Sequence, residues 1–127
     1  EIRELYQYVL FCPMIDARRM EVYSALYDMN NVPVRDIRAE IIDEHSFDSY
    51  LGNHRIIFFG DGASKCRDVL SHHENAVFID DVYPSSLHMA DIAEQKFLNK
   101  EFEDIAYFEP FYLKDFIAGK PKVKGLF

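Results

Sequence analysis

Pro13-Met14-Ile15-Asp16-Ala17-Arg18-Arg19-Met20-Glu21-Val22-Tyr23-Ser24-Ala25-Leu26-Tyr27-Asp28 is the stretch that decides the fold. Two apolar, β-prone runs flank a tight polar junction at Asp16-Ala17-Arg18-Arg19, the pattern of a strand, a turn and a returning strand. The first run reaches back to Val9 and is apolar almost throughout. The second alternates, with Val22, Ser24 and Leu26 on one side and Tyr23, Ala25 and Tyr27 on the other, which predicts a sheet with two different faces. Asn30-Asn31 followed by Pro33 is turn chemistry, because Asn tolerates the left-handed region and Pro fixes its own φ. Residues 34–42 then read as a third strand with Ile37, Ala39 and Ile41 on a common face. Three strands joined by short turns predict an antiparallel meander.

Working outward, the pattern changes to strand and helix in alternation. Ser46 is read as the N-cap of a short helix carrying Phe47, Tyr50 and Leu51, stopped by Gly52. Ile56-Ile57-Phe58-Phe59 is a continuous apolar run of strand length, the mark of a strand covered on both faces. The Gly60-Asp61-Gly62 turn leads into a helix with Ala63, Cys66, Val69 and Leu70 at helical spacing, and residues 76–79 form another short strand. After Pro84, Ser85 caps a longer helix whose Leu87, Ala90, Ala93 and Phe97 make one apolar stripe. The succession βββαβαβα predicts a mixed α/β sheet with helices on its faces, the order of a ribonuclease-H-like unit, which is also one half of an actin-like protein.

Composition narrows the class. A chain of 127 residues suits one domain, 1–127, and buries roughly two-thirds of its unfolded surface. With 49% hydrophobic residues there is core material and no case for disorder. No apolar run approaches the roughly 20 residues of a membrane span, so the expectation is a cytoplasmic protein. A net charge of −8 argues against an independent nucleic-acid binder. Cys12 and Cys66 form no metal or redox spacing and read as small buried hydrophobes. The chain opens on Glu1, and residues 1–8 read as the tail of a helix that began earlier, which predicts the C-terminal half of a longer, two-domain protein. The 15% aromatic content leaves room for an exposed patch and a homodimer.

Two places invite ligand chemistry. At the hairpin, Asp16 stands where a phosphotransferase of this architecture organises a metal or water, but Ala17 and Arg18 stand where glycines would let backbone amides reach phosphate. Arginine still clamps an anion bidentately; a surface ion pair or partner contact is the favoured reading. At Gly60-Asp61-Gly62-Ala63-Ser64-Lys65, a turn between a buried strand and a helix suits close approach of a ligand, yet its spacing is neither a P-loop nor a dinucleotide fingerprint. A plain strand-to-helix turn is favoured there. His45, His54, His72, His73 and His88 lack metal-ligand spacing, and Ser64, Ser71, Ser85 and Ser86 lack readable triad partners. Asp80-Asp81 ends a strand, but turns collect Asp in any case.

Ile15-Asp16-Ala17-Arg18-Arg19-Met20-Glu21-Val22-Tyr23 and Glu109-Pro110-Phe111-Tyr112-Leu113-Lys114 closely resemble the C-terminal half of the TsaB (YeaZ) family, over nearly the whole chain. The resemblance implies an actin-like, non-catalytic subunit of the machinery that makes threonylcarbamoyladenosine at position 37 of tRNA. It implies TsaD, a paralogue once read as a glycoprotease, and the ATPase TsaE as partners, with tRNA met only through the complex. It implies no cofactor or metal held by this domain, ATP entering with the assembled complex. Asp16, Ala17, Arg18, Gly60, Asp61, Gly62 and Ala63 then mark degenerate phosphate and adenosine positions. Arg18, Arg19, Lys114, Lys120, Lys122 and Lys124 form a polar contact surface. The alternative is a nucleotide-binding enzyme, or a peptidase-like hydrolase, with its site between this domain and a missing N-terminal one.

Overall fold

The computed structural model describes residues 8–115. Five strands, β1 (Val9–Asp16), β2 (Glu21–Tyr27), β3 (Pro33–Ile41), β4 (Arg55–Phe59) and β5 (Ala76–Phe78), form one sheet in the order β3-β2-β1-β4-β5. The meander β1-β2-β3 is antiparallel, whereas β4 and β5 add in parallel on the far side of β1. Between β3 and β4 lies α1 (Asp48–Leu51), between β4 and β5 a 3-10 turn Ser64–Cys66 running into α2 (Arg67–Leu70), and after β5 a 3-10 turn Ser86–Met89 running into α3 (Ala90–Leu98). The protein is therefore α/β with a mixed sheet, and the element order is the one the sequence predicts. Residues 1–7 and the expected helix tail there lie outside the described residues, as do Lys120, Lys122 and Lys124.

The period-2 alternation of β1 and β2 builds the core on one face of the sheet. Leu10, Cys12 and Met14 of β1, Val22, Ser24 and Leu26 of β2, and Ile56 and Phe58 of β4 are all buried there. Phe47 and Leu51 of the α1 segment and Cys66 and Leu70 of the α2 segment cover them in the same cluster. Phe58 meets Phe47 edge-on and stacks on Phe78, each at 5.1 Å between centroids, an aromatic geometry that adds about 1 kcal/mol beyond area burial. Both cysteines are free and buried, and burial pushes both thiols up from their ordinary value.

The core also holds a charge the sequence reading missed. Arg35 on β3 is 7% exposed, and its guanidinium donates to Glu40 at 2.5 Å and to the Ser24 hydroxyl at 2.7 Å while lying 4.6 Å over the Phe47 ring. Its Nε has no partner among the described residues. Pro33, these charges and a register shift opposite Leu26 blunt the outer edge of β3 against pairing with another strand.

Three expectations need correction. Ser46 does not cap α1: the residue before the helix is Phe47, left-handed at φ 76°, and no side chain caps it. Ser46 instead exchanges hydrogen bonds with Asp43, whose amide donates to the Ser46 hydroxyl while the Ser46 amide donates to the Asp43 carboxylate. A local loop closure has won the Ser side chain from the helix, and Gly52 continues right-handed at φ −63°. Secondly, the run 56–59 is not fully covered on its second face among the described residues: Ile57 and Phe59 are half-buried and stand outside the buried cluster. Thirdly, Ser85 does cap the 3-10 turn, accepting from the Leu87 amide at 3.2 Å, but the stripe Leu87, Ala90, Ala93 and Phe97 faces solvent.

Candidate functional site

The two candidate places are one place. The β1-β2 hairpin and the turn after β4 meet because β1 and β4 are parallel neighbours whose carboxyl ends lie side by side. Gly60 and Gly62 make that meeting tight. Gly60 has φ +99°, and a Cβ on it would stand 2.4 Å from the Met14 carbonyl oxygen; one on Gly62 would stand 2.9 Å from the Ile15 backbone. The Gly62 amide donates to the Met14 carbonyl at 3.0 Å. These glycines let the turn press against β1, so their spacing is accounted for by packing. Asp61 turns back over the strand end and accepts from the Asp16 amide at 3.0 Å.

The hairpin tip carries two consecutive left-handed arginines, Arg18 at φ 77° and Arg19 at φ 48°. Such backbone costs about 1–2 kcal/mol per residue with a Cβ present, where glycine would cost nothing. Asp16 sets up the turn by accepting from the Arg18 amide at 2.9 Å, a local Asx closure. The Ala17 amide then donates to the Glu21 carbonyl and the Glu21 amide to the Arg18 carbonyl, each at 3.0 Å.

Lys65, which sequence reasoning left unassigned, ties the two halves together. Its ammonium donates to the Asp16 carboxylate and, at 2.7 Å, to the Glu21 carbonyl. The Lys65 hydrogen bond, followed by the Arg18 amide, holds the Asp16 carboxyl below its ordinary value. The signal for Lys65 was only its place in the first turn after Gly62. Lys114 comes back from far along the chain to donate to the Glu21 carboxylate at 2.6 Å, which holds its ammonium above the ordinary lysine value. An open cleft of about 880 Å³ lies between the hairpin and this returning segment, lined by Asp16, Ala17, Arg18, Tyr23, Tyr112 and Lys114. Among the described contact residues, Arg18, Arg19 and Lys114 thus share one rim.

Ala63 is buried beneath the same turn. Asp80 and Asp81 stand apart from it: Arg67, lying over Phe78, pairs with Asp80 at 2.5 Å, and Asp81 accepts from the Tyr83 hydroxyl at 3.2 Å. His45 pairs with Asp48, which raises its imidazolium's pKa above the ordinary value, and His72 sits on the Val69 carbonyl. Chemically, the described site is a carboxylate neutralised by an ammonium, with a cationic tip projecting beyond it. No helix among the described residues is long and apolar enough to cross a membrane. The chain matches no protein-family model, and no curated protein matches it.

Proposed function

We propose that this chain is a non-catalytic scaffold subunit of the tRNA N6-threonylcarbamoyladenosine machinery, a TsaB-like partner of TsaD and TsaE built on a ribonuclease-H-like, actin-like domain. One observation carries the reading: the groups that would manage a phosphate are engaged with one another. Asp16 is held by Lys65, Asp61 is turned onto the Asp16 amide, and Gly60 and Gly62 are pressed against β1. Ala17 and Arg18 occupy the hairpin positions where backbone amides would need glycine to approach an anion. The sheet order, with two parallel strands added beside a meander, supports the fold half of the proposal. The reading sets the protein in the cytoplasm, touching tRNA only through the complex, with ATP entering by way of its partners.

Arg18 and Arg19 are the contact residues of choice, because left-handed backbone at non-glycine residues is a strain that clusters at functional sites. Reconstitution tests the proposal: full-length protein, TsaD, TsaE, ATP and substrate tRNA are combined and modified adenosine is assayed. Modification should require the protein, and Arg18→Ala with Arg19→Ala should weaken its capture of TsaD at least tenfold. Steady ATP turnover by the protein alone, abolished in Asp16→Asn, would sink the proposal in favour of a nucleotide-binding enzyme.

A further inference from the structure

The hairpin tip borders two clefts. Arg18 and Lys114 line both the cleft of about 880 Å³ and a second of about 420 Å³. Both volumes fall in the range of sites that hold a small ligand or a few residues of peptide, roughly 300–1,000 Å³. Tyr23 and Tyr112 give the larger cleft an aromatic lining. Met20 and Ile41 give the smaller one an aliphatic lining, with Ile41 72% exposed. A cationic rim thus stands between two apolar linings.

The charges at this rim do not cancel. Lys65 neutralises Asp16 and Lys114 neutralises Glu21. Arg18 and Arg19 are both exposed, and neither guanidinium is in an ion pair among the described residues. Asp115 lines the larger cleft opposite them. Residues 116–127 carry three lysines and no acidic side chain, so the segment that continues from the cleft brings no carboxylate side chain to either arginine. Two planar cations, side by side on a chain of net charge −8, match two carboxylates.

Charge alone holds too little. An exposed ion pair is worth about 0–1 kcal/mol. An apolar side chain that loses roughly 100 Å² to each cleft adds about 2.5 kcal/mol at 25 cal/mol/Å². The ligand therefore needs both kinds of group. The overall negative charge repels a nucleic-acid strand at long range, and the aliphatic cleft offers no ring on which a base could stack.

We propose that the hairpin tip captures a segment of a partner protein in which a pair of acidic residues lies between two apolar ones. The carboxylates meet the Arg18 and Arg19 guanidiniums, one apolar side chain enters the cleft beside Tyr23 and Tyr112, and the other enters beside Met20 and Ile41. This rests on the reading of the tip as a contact surface and gives that surface its ligand. It also gives the left-handed backbone a purpose: glycine at 18 and 19 would relieve the strain and remove both guanidiniums in the same step.

The test is a titration of the 127-residue chain with the capped peptide Ser-Phe-Glu-Glu-Phe-Ser into the millimolar range, followed by amide NMR shifts. Saturable shifts should gather at residues 16–21, at Ile41 and at 112–115. The peptide with both glutamates replaced by glutamine should bind about tenfold more weakly, and so should the one with both phenylalanines replaced by alanine. Arg18→Gly with Arg19→Gly, which relieves strain and so keeps the fold, should lose about tenfold. Ile41→Ser, at an exposed position, should weaken the phenylalanine peptide and leave the alanine peptide unchanged. No saturable shift, equal binding of the glutamine peptide, or full binding by the glycine variant would overturn the proposal. Tighter binding of hexauridylate RNA would overturn it in favour of a nucleic-acid strand. TsaD, TsaE and tRNA are absent from the titration, so the two readings fail separately. Peptide capture without any requirement for the protein in tRNA modification would sink the scaffold role alone, and the reverse pair of results would sink the acidic segment alone.

Discussion

In β1, β2 and β4 the alternate apolar residues go inside; from Tyr83 to Tyr112 no residue does. The two regions are alike in composition. Ile56-Ile57-Phe58-Phe59 and Tyr107-Phe108-Glu109-Pro110-Phe111-Tyr112 are both aromatic-rich. The first is paired in parallel on both sides, by β1 and by β5, so its backbone is satisfied and its side chains are aimed. The second contains Pro110, which removes a donor, and has no ladder to join. Apolar content sets how much surface can be buried, and pairing decides which part of it is.

Truncation of one aromatic in each region is the harshest test of that contrast. Phe58→Ala should cost about 3–5 kcal/mol in urea unfolding, because a fully buried ring wedged between Phe47 and Phe78 leaves a cavity. Phe97→Ala, at an exposed position, should stay within about 0.5 kcal/mol of wild type. Comparable losses at the two positions would mean that the second region is packed and the contrast is false.

Next in size is the joint between hairpin and turn. Gly60→Ala forces a Cβ to within 2.4 Å of the Met14 carbonyl oxygen at a left-handed φ, and should cost about 2–4 kcal/mol. Glu40→Gln leaves Arg35 buried without its counter-charge and should cost about 2 kcal/mol, less than for a fully buried pair because Glu40 keeps 19% exposure. Both are read from denaturant midpoints at constant slope. Arg19→Gly runs the other way. Relieving the left-handed backbone at φ 48° should stabilise the protein by about 1 kcal/mol while weakening partner capture, and a gain in stability with capture unchanged would leave the strain without a purpose.

The fold was legible where chemistry is local. The alternation in 20–28 assigned both faces of β2 correctly, and Asn31 takes the left-handed φ of 60° that its side chain tolerates. The same local logic misplaced Ser46, because Asp43 three residues earlier offers its amide and carboxylate to the same hydroxyl and backbone. Within the site, Asp16 and Gly60 could be singled out from residue type. Lys65 stands in the same candidate stretch as Gly60, but its role was not readable, since it depends on β1 and β4 being parallel neighbours, a long-range fact. Arg35 hid behind the ordinary expectation that an arginine in an edge strand faces water. The stripe of α3 was legible as a stripe and its exposure was not, because periodicity reports amphipathicity and is silent about what covers it.

The smallest effect belongs to the ion pair that joins hairpin to turn, and its sign separates it from the rest of the surface. The carboxyl of Asp16 titrates below its ordinary 3.8, chiefly through Lys65 and then through the Arg18 amide. Its contribution to stability is therefore present above pH 3.8 and is lost as the pH falls through the lower, folded value. His45, raised by Asp48, behaves oppositely: its contribution is complete below 6.5 and fades as the pH rises through the higher, folded value. Asp16→Asn should therefore be less stable than wild type at neutral pH, with the two unfolding curves converging in acid and no change in the window where His45 titrates. A difference that persists undiminished below pH 3 would mean that the asparagine disturbs the hairpin itself, and that Lys65 holds the turn through the Glu21 carbonyl alone.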